Sequence, residues 1–163
     1  MKKVFITGAS RGIGNAIAKS LLEENYIVIG TATTSEGVEQ LIEEGILGYK
    51  LELDDLQRIN TSWEKIPNEN LDIDILINNA GFTRDNLILR MSEDEWNEVM
   101  NVHLNAIFRI TKRLLKPMLK KRWGRIINLS STSAVLGNKG QANYAAAKAG
   151  IEAFSRSLAS EVG

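Results

Sequence analysis

The chain has 163 residues, 44% hydrophobic and 25% charged, the size and balance of one domain with an ordinary core. Cysteine is absent, which excludes disulfides and thiolate metal sites and fits a reducing, cytoplasmic setting. No uncharged apolar run approaches the ~20 residues that cross a bilayer, and Val4-Phe5-Ile6 is too short for a secretion signal, so neither membrane association nor a metal is expected.

Lys3 to Thr7 reads as a short buried strand, and Thr7 to Gly14 as a glycine-rich turn after it. Apolar residues at 13, 17, 21 and 22 make Ile13 to Glu24 an amphipathic helix. Tyr26 to Thr31 is a second strand, Glu36 to Glu44 a second helix, Leu47 to Leu53 a third strand and Leu56 to Ile66 a weaker helix. Asp74 to Asn78 is long enough only for a strand. Ser92-Glu-Asp-Glu95 is a capping box, opening a long helix that runs to about Lys121 with Pro117 marking a bend. Arg125 to Leu129 is the fifth strand, and Gln141 to Val162 the last helix. Apolar strands alternating with amphipathic helices predict a doubly wound parallel α/β sheet, covered on both faces, in one domain.

The formal net charge of +0 conceals an asymmetry: 18 of the 20 acidic residues precede Val99, and none lies between Val99 and Ile151. That stretch carries ten basic residues, from Arg109 to Lys148. A solvated helix face accounts for them; an anionic cofactor with an acidic protein partner is the functional alternative. Few aromatics are present to stack bases, so nucleic acid is not expected.

Gly8, Gly12 and Gly14 follow the first strand and open the first helix, where glycines allow a tight turn and close approach of a pyrophosphate to helix N–H groups. The spacing is G-x-x-x-G-x-G, not the commoner G-x-G-x-x-G, and a purely structural glycine turn would also account for it. After the second strand the text reads Gly30-Thr-Ala-Thr33-Thr34, with no acid to hold the ribose hydroxyls of NAD before Glu36. Arg11 in the glycine turn, with neutral hydroxyls and no carboxylate, makes a pocket for a 2′-phosphate, so NADP(H) is expected as cofactor.

Tyr144 and Lys148 stand four apart in an Ala-rich helical segment, on one face and one turn apart. A phenol alone is a sluggish acid at neutral pH, and a fixed ammonium one turn away favours the phenolate and readies the pair for acid–base work. Ser131, thirteen residues upstream, follows the strand Arg125 to Leu129, where open α/β sheets bind ligands. Alone, a Tyr-x-x-x-Lys pair would read as a solvated helix face.

Thr7-Gly8-x-x-x-Gly12-x-Gly14, Asn78-Asn79-Ala80-Gly81, and Ser131 with Tyr144-x-x-x-Lys148 together resemble the short-chain dehydrogenase/reductase family. Gly81-Phe-Thr-Arg-Asp-Asn86, Gly137 to Lys148 and Phe154-Ser-Arg-Ser-Leu-Ala resemble, more narrowly, its bacterial 3-oxoacyl-[acyl-carrier-protein] reductases. The resemblance covers Lys3 to Val162 and implies a Rossmann-like sheet and NADPH-dependent reduction of a 3-oxoacyl thioester. It implies that Gly8, Ser10, Arg11, Ile13 and Gly14 hold the cofactor phosphates, with Thr33 helping Arg11 at the 2′-phosphate. Glu52 and Leu53 would edge the adenine; Asn79, Ala80 and Gly81 would back the ribose and the sheet centre. Tyr144 would protonate the carbonyl oxygen, Lys148 would hold the nicotinamide ribose and assist Tyr144, and Ser131 would bond the carbonyl. The implied partners are an acidic acyl carrier protein and further copies of the chain, in a homodimer or homotetramer paired through the long helices; Lys120, Lys121, Arg122 and Arg125 flank the strand that ends at Ser131 and are the candidate docking residues for the carrier.

Two departures stand out. The family carries asparagine in the long helix, its backbone carbonyl anchoring a water that reaches the active-site lysine; here that position is His103, within Val102-His103-Leu104-Asn105. Either the backbone carries the role and His103 is tolerated, or His103 titrates in a proton relay. Second, the family's fold continues past the last helix with further strands and a mobile substrate segment, whereas this sequence ends at Gly163, so an incomplete catalytic domain with an open sheet edge is expected. Two other functions share these motifs: a different NADP-dependent carbonyl reductase, such as one acting on acetoacetyl-coenzyme A, and a non-catalytic nucleotide-binding or subunit-pairing module.

Overall fold

A computed structural model describes residues 1–163. Five parallel strands form one sheet: β1 (Lys3–Ile6), β2 (Ile27–Ala32), β3 (Leu47–Lys50), β4 (Ile75–Asn78) and β5 (Arg125–Asn128), in the spatial order β3-β2-β1-β4-β5. From β1 the chain winds outward to β3, then returns to place β4 on the other side. That reversal opens a crevice beyond the carboxyl ends of β1 and β4, where ligands of such sheets bind.

Strand periodicity divides the core into two layers, because successive side chains leave opposite faces of the pleat. Phe5, Ile29 and Leu76 pack with Val102, Ala106, Ile110 and Leu114 on one face. Val4, Ile6, Val28 and Ile77 pack with Ala18 and Leu41 on the other. Val4, Phe5 and Ile6 are all fully buried, so β1 is the centre of both layers. Each large apolar side chain buried this way contributes about 1.5–3 kcal/mol.

The helices are α1 (Gly12–Glu23), α2 (Ser35–Glu43), α3 (Leu56–Trp63), α4 (Glu93–Met100), α5 (Ala106–Lys121), α6 (Ser133–Leu136) and α7 (Ala142–Val162). The capping box at Ser92 forms in full: Ser92 Oγ accepts from the Glu95 amide, and the Glu95 carboxylate accepts from the Ser92 amide. The single long helix expected after it is instead two, joined by a π-helical segment over Asn101–Asn105. The helical run continues through Pro117 to Lys121, although proline offers no N–H to the ladder, and the change of helical type lies at Asn101–Asn105. Leu51 to Leu53, expected in the third strand, lies beyond β3, and α3 ends at Trp63 rather than Ile66. The 3₁₀ turn Asn68–Asn70 and the one-turn α6 carry no sequence period long enough to mark them. No helix is long and apolar enough to cross a membrane.

Candidate active site

The glycine turn is built by side chains on both sides of it. Gly8 and Gly12 take left-handed backbone, φ +66° and +57°, which a side chain would strain. A Cβ on Gly14 would stand 2.2 Å from the Gly8 carbonyl oxygen, so the helix can approach the turn only with glycine there. Thr7 Oγ1 accepts from the amides of Asn79 and Ala80, both at 3.1 Å. Asn79 Nδ2 donates to the carbonyls of Thr7 at 3.0 Å and Gly8 at 2.8 Å. Thr31 Oγ1 accepts from the Gly8 amide at 3.2 Å. Asn79 thus spends its amide clamping the turn. At the start of α1, Arg11 occupies the N-cap without a side-chain cap bond, and the first turn carries no acid. Its N–H groups are left for an anion.

Beyond the turn opens a cavity of about 930 Å³. Gly8, Ser10, Arg11 and Ile13 line it from the turn, Thr33 from the end of β2, Glu52 and Leu53 from beyond β3, and Asn79 to Gly81 from beyond β4. Gly14 does not line it; it lies beneath the turn. The size of the cavity and the free N–H groups at the start of α1 fit a dinucleotide, with Gly8 and Gly12 on its wall. Arg11 and Thr33 make no ion pair or side-chain hydrogen bond, whereas Thr34 caps α2 by accepting from the Gly37 amide at 3.1 Å. Sequence reading missed Arg58, which lines the same cavity and pairs with Asp54 at 2.8 Å. Glu36 also lines it, although the turn before it is acid-free.

Helix α7 brings Tyr144 and Lys148 to the same end of the sheet. Lys148 is 5% exposed, and its Nζ donates to the Leu129 carbonyl at 2.6 Å. Burial pushes this ammonium down to about 8. Its Nζ stands 5.6 Å from the centre of the Tyr144 ring. Ser131 Oγ accepts from the Ser133 amide at 3.1 Å at the start of α6 and makes no hydrogen bond to Tyr144. Ser130 turns away to Glu152, donating at 2.6 Å.

Asn143, fully buried, is the anchor that the sequence did not mark. Its Nδ2 donates to the carbonyls of Arg84 at 3.0 Å and Glu95 at 3.1 Å, and its Oδ1 accepts from the Tyr144 amide at 2.8 Å. A second chain runs through the sheet: Asn78 Nδ2 donates to Asn128 Oδ1, and Asn128 Nδ2 to Ser155 Oγ on α7, both at 2.8 Å.

His103 sits in the π segment, 2% exposed, with its ring centre 5.2 Å from that of Tyr144. Burial, with a smaller contribution from nearby Lys148, overcomes the opposing Phe82 backbone bond and pushes the imidazole down to about 4. The ring is neutral at ordinary pH, which weighs against a titrating relay and leaves His103 as a packed neighbour of the tyrosine.

The short chain dehydrogenase family model matches residues 2–163. This chain belongs to the short-chain dehydrogenases. It is 49% identical to the 3-oxoacyl-[acyl-carrier-protein] reductase FabG of Vibrio harveyi, over 99% of this chain and 67% of that protein. The FabG of Escherichia coli K12 is 48% identical over the same share. A crystal structure of a short-chain dehydrogenase from Streptomyces avermitilis superposes with a TM-score of 0.91 at 32% identity, covering 99% of this chain and 60% of that one. The chain spans about two thirds of the length of the curated relatives it matches.

Within this short-chain dehydrogenase the basic residues singled out for docking are not beside Ser131. Lys120 and Lys121 end α5 and Arg125 begins β5, so they lie at the amino end of the sheet. The strand alone puts about 10 Å between Arg125 and Asn128. Lys121 is also committed: its Nζ bonds Asp74 at 2.7 Å, Asp72 at 3.1 Å and the Ile73 carbonyl at 3.0 Å. Arg125 leans on the ring of Trp123, 5.1 Å from its centre. These basic residues flank β5 along the chain, but strand direction puts them at the end opposite Ser131.

Proposed function

We propose that this chain carries the cofactor cradle and proton-donating side chains of an NADPH-dependent 3-oxoacyl-[acyl-carrier-protein] reductase. The observation that carries this reading is the convergence of the glycine cradle, Lys148 and Tyr144 at the carboxyl ends of the strands, in a chain close to half identical to reductases of that name.

The glycine turn and the first turn of α1 bind the phosphates, and Arg11 with Thr33 holds the 2′-phosphate, which makes NADPH the preferred cofactor. When bound, the cofactor supplies the hydride for the carbonyl carbon. Tyr144 gives its phenolic proton to the carbonyl oxygen. Ser131 frees its hydroxyl to donate to the same oxygen, stabilising the charge that develops there. Lys148 uses one N–H on the Leu129 carbonyl and keeps two for cofactor hydroxyls and for the field that supports the tyrosine. The product is a 3-hydroxyacyl thioester, an intermediate of fatty-acid elongation in the cytoplasm.

The acyl carrier is the proposed macromolecular partner. Lys120, Arg122 and Arg125, at the amino end of β5, are its proposed docking surface. Exposed Phe108 and Leu119 on α5 support pairing into a dimer or tetramer through that helix. NADPH oxidation with an acetoacetyl thioester tests the function: turnover should disappear in Tyr144→Phe while NADPH binding persists, and retained turnover would refute the assignment.

A further inference from the structure

The ring of His103 stands where three parts of the site meet. It covers Gly81, where a Cβ would come within 2.1 Å of ring carbon Cε1. Its Nε2 lies 2.7 Å from the Phe82 carbonyl oxygen and 3.2 Å from the Phe82 amide nitrogen. The ring meets that of Tyr144 at an interplanar angle of 89°, edge to face. Its other nitrogen, Nδ1, is buried without a hydrogen-bond partner. Gly81 and Phe82 both line the cofactor cavity.

We propose that His103 is a positioning residue, a wedge that sets the Tyr144 ring against the Gly81–Phe82 floor of the cavity and takes no part in moving the proton. The inference rests on the reading of Tyr144 as proton donor. Two groups of Phe82 compete for Nε2: the carbonyl oxygen at 2.7 Å calls for a protonated nitrogen and the amide N–H at 3.2 Å for a bare one, and the shorter contact assigns the ring proton to Nε2. Nδ1 is then a bare acceptor with no protein group to receive from. No hydrogen-bonded path leads through the ring to Tyr144 or Lys148. What remains is shape. Edge-to-face aromatic packing is directional, and the Phe82 carbonyl holds the ring in the orientation that Tyr144 needs. Glycine at 81 completes the arrangement, since any side chain there would collide with the imidazole.

The cofactor-free protein tests the wedge directly. In ¹⁵N spectra the imidazole should stay neutral with its proton on Nε2 from pH 5.5 to 9; titration near pH 6.5, or a proton on Nδ1, would overturn the proposal. ¹³C relaxation of the Tyr144 ring, one of three tyrosines, should show an ordered ring in wild type. In His103→Ala its order parameter should fall below about 0.6. An unchanged ring would sink the wedge. In turnover, His103→Ala should lose on the order of 10- to 100-fold in kcat, the cost of a displaced donor, with less than about a threefold change in the NADPH Kd. His103→Phe, which keeps a ring but cannot carry a proton, should recover most of that loss. A phenylalanine variant as impaired as the alanine one would favour a relay. Tyr144→Phe is the control: full activity there removes the proton-donor reading itself, whereas an inactive Tyr144→Phe beside an undisturbed His103→Ala removes only the wedge.

Discussion

Lys148 Nζ donates to the Leu129 carbonyl at 2.6 Å, tying α7 to the chain just past β5, two residues before Ser131. One contact therefore fixes the helix that carries the tyrosine against the segment that carries the serine. It also holds an ammonium in a buried place, 5% exposed, where the charged form is disfavoured.

The first prediction follows from that burial. Lys148 is charged below about pH 8 and loses its proton as the pH rises through that value. If the ammonium supports Tyr144, kcat/KM for carbonyl reduction should fall above about pH 8, because that ratio reports the free enzyme. Lys148→Arg should move the fall beyond the alkaline range while lowering the plateau, since the guanidinium cannot match the ammonium's single-point bond to Leu129. A profile flat to pH 10 in wild type would exclude this role for the ammonium.

His103 links the same site to stability. The folded imidazole is held down to about 4, while an unfolded histidine takes up its proton near 6.5. Between those values the unfolded chain binds more protons, so stability falls as the pH drops through the window, by about 3 kcal/mol in all. Chemical unfolding at pH 7 and pH 4.5 should show this loss in wild type and much less of it in His103→Phe. Parallel pH dependence in the two proteins would refute it.

Asn143 should matter more than its neighbours on α7. Truncation to alanine leaves two backbone carbonyls without a buried donor, and each such loss costs about 1–3 kcal/mol. Asn143→Ala should lower the melting temperature by several degrees and reduce kcat, as the first turn of α7 slackens. Ala146→Ser, on the exposed side of the helix, should do neither.

Much of this was legible in the chain, and the reasons differ by element. β1 and β4 show as short apolar runs because both of their faces are buried, and the capping box shows because its two hydrogen bonds need Ser92 and Glu95 three apart. Tyr144 and Lys148 were legible as a pair because a helix converts a spacing of four into adjacency. The π segment at Asn101–Asn105 was not, since a single widened turn leaves the apolar period of Val99, Val102, Ala106 and Ile110 intact. Asn143 was hidden because its partners are backbone carbonyls at Arg84 and Glu95, far away in sequence. Arg58 was hidden for a similar reason: it belongs to the cavity only once β3 brings α3 beside the glycine turn.

The proposed preference for NADPH rests on Arg11. Its guanidinium and the Thr33 hydroxyl line the cavity without partners, whereas Arg58, across the same cavity, is drawn to Asp54, Glu52 and Asp55. Arg11→Ala should weaken NADPH binding by roughly 10-fold or more, the scale of a lost charge-assisted bond, and leave NADH nearly unchanged. Equal affinities for the two cofactors in the unaltered protein would contradict the preference.

The last prediction concerns the basic end of α5. Lys120, Lys121 and Arg122 are consecutive, yet they are not equivalent. Lys121 is drawn into Asp72 and Asp74, which raise its affinity for the proton above the ordinary lysine value despite burial, and Asp74 is correspondingly held below the usual carboxylate range. A carrier protein cannot use that charge without breaking the pair. Lys120 and Arg122 have no such partners, and Arg122 closes α5 in left-handed backbone, φ 54°, at the surface. Reversal of Lys120 and Arg122 to glutamate should therefore raise the apparent KM for carrier-linked substrate by about 10-fold at low salt, leave a small thioester analogue unaffected, and lose its effect as salt screens the surface. Lys121→Glu should act differently, placing a third carboxylate beside two, lowering stability by about 1 kcal/mol and affecting both substrates alike. If the double reversal disturbed both substrates equally, the patch would be a structural feature of the α5 terminus and the carrier would dock elsewhere.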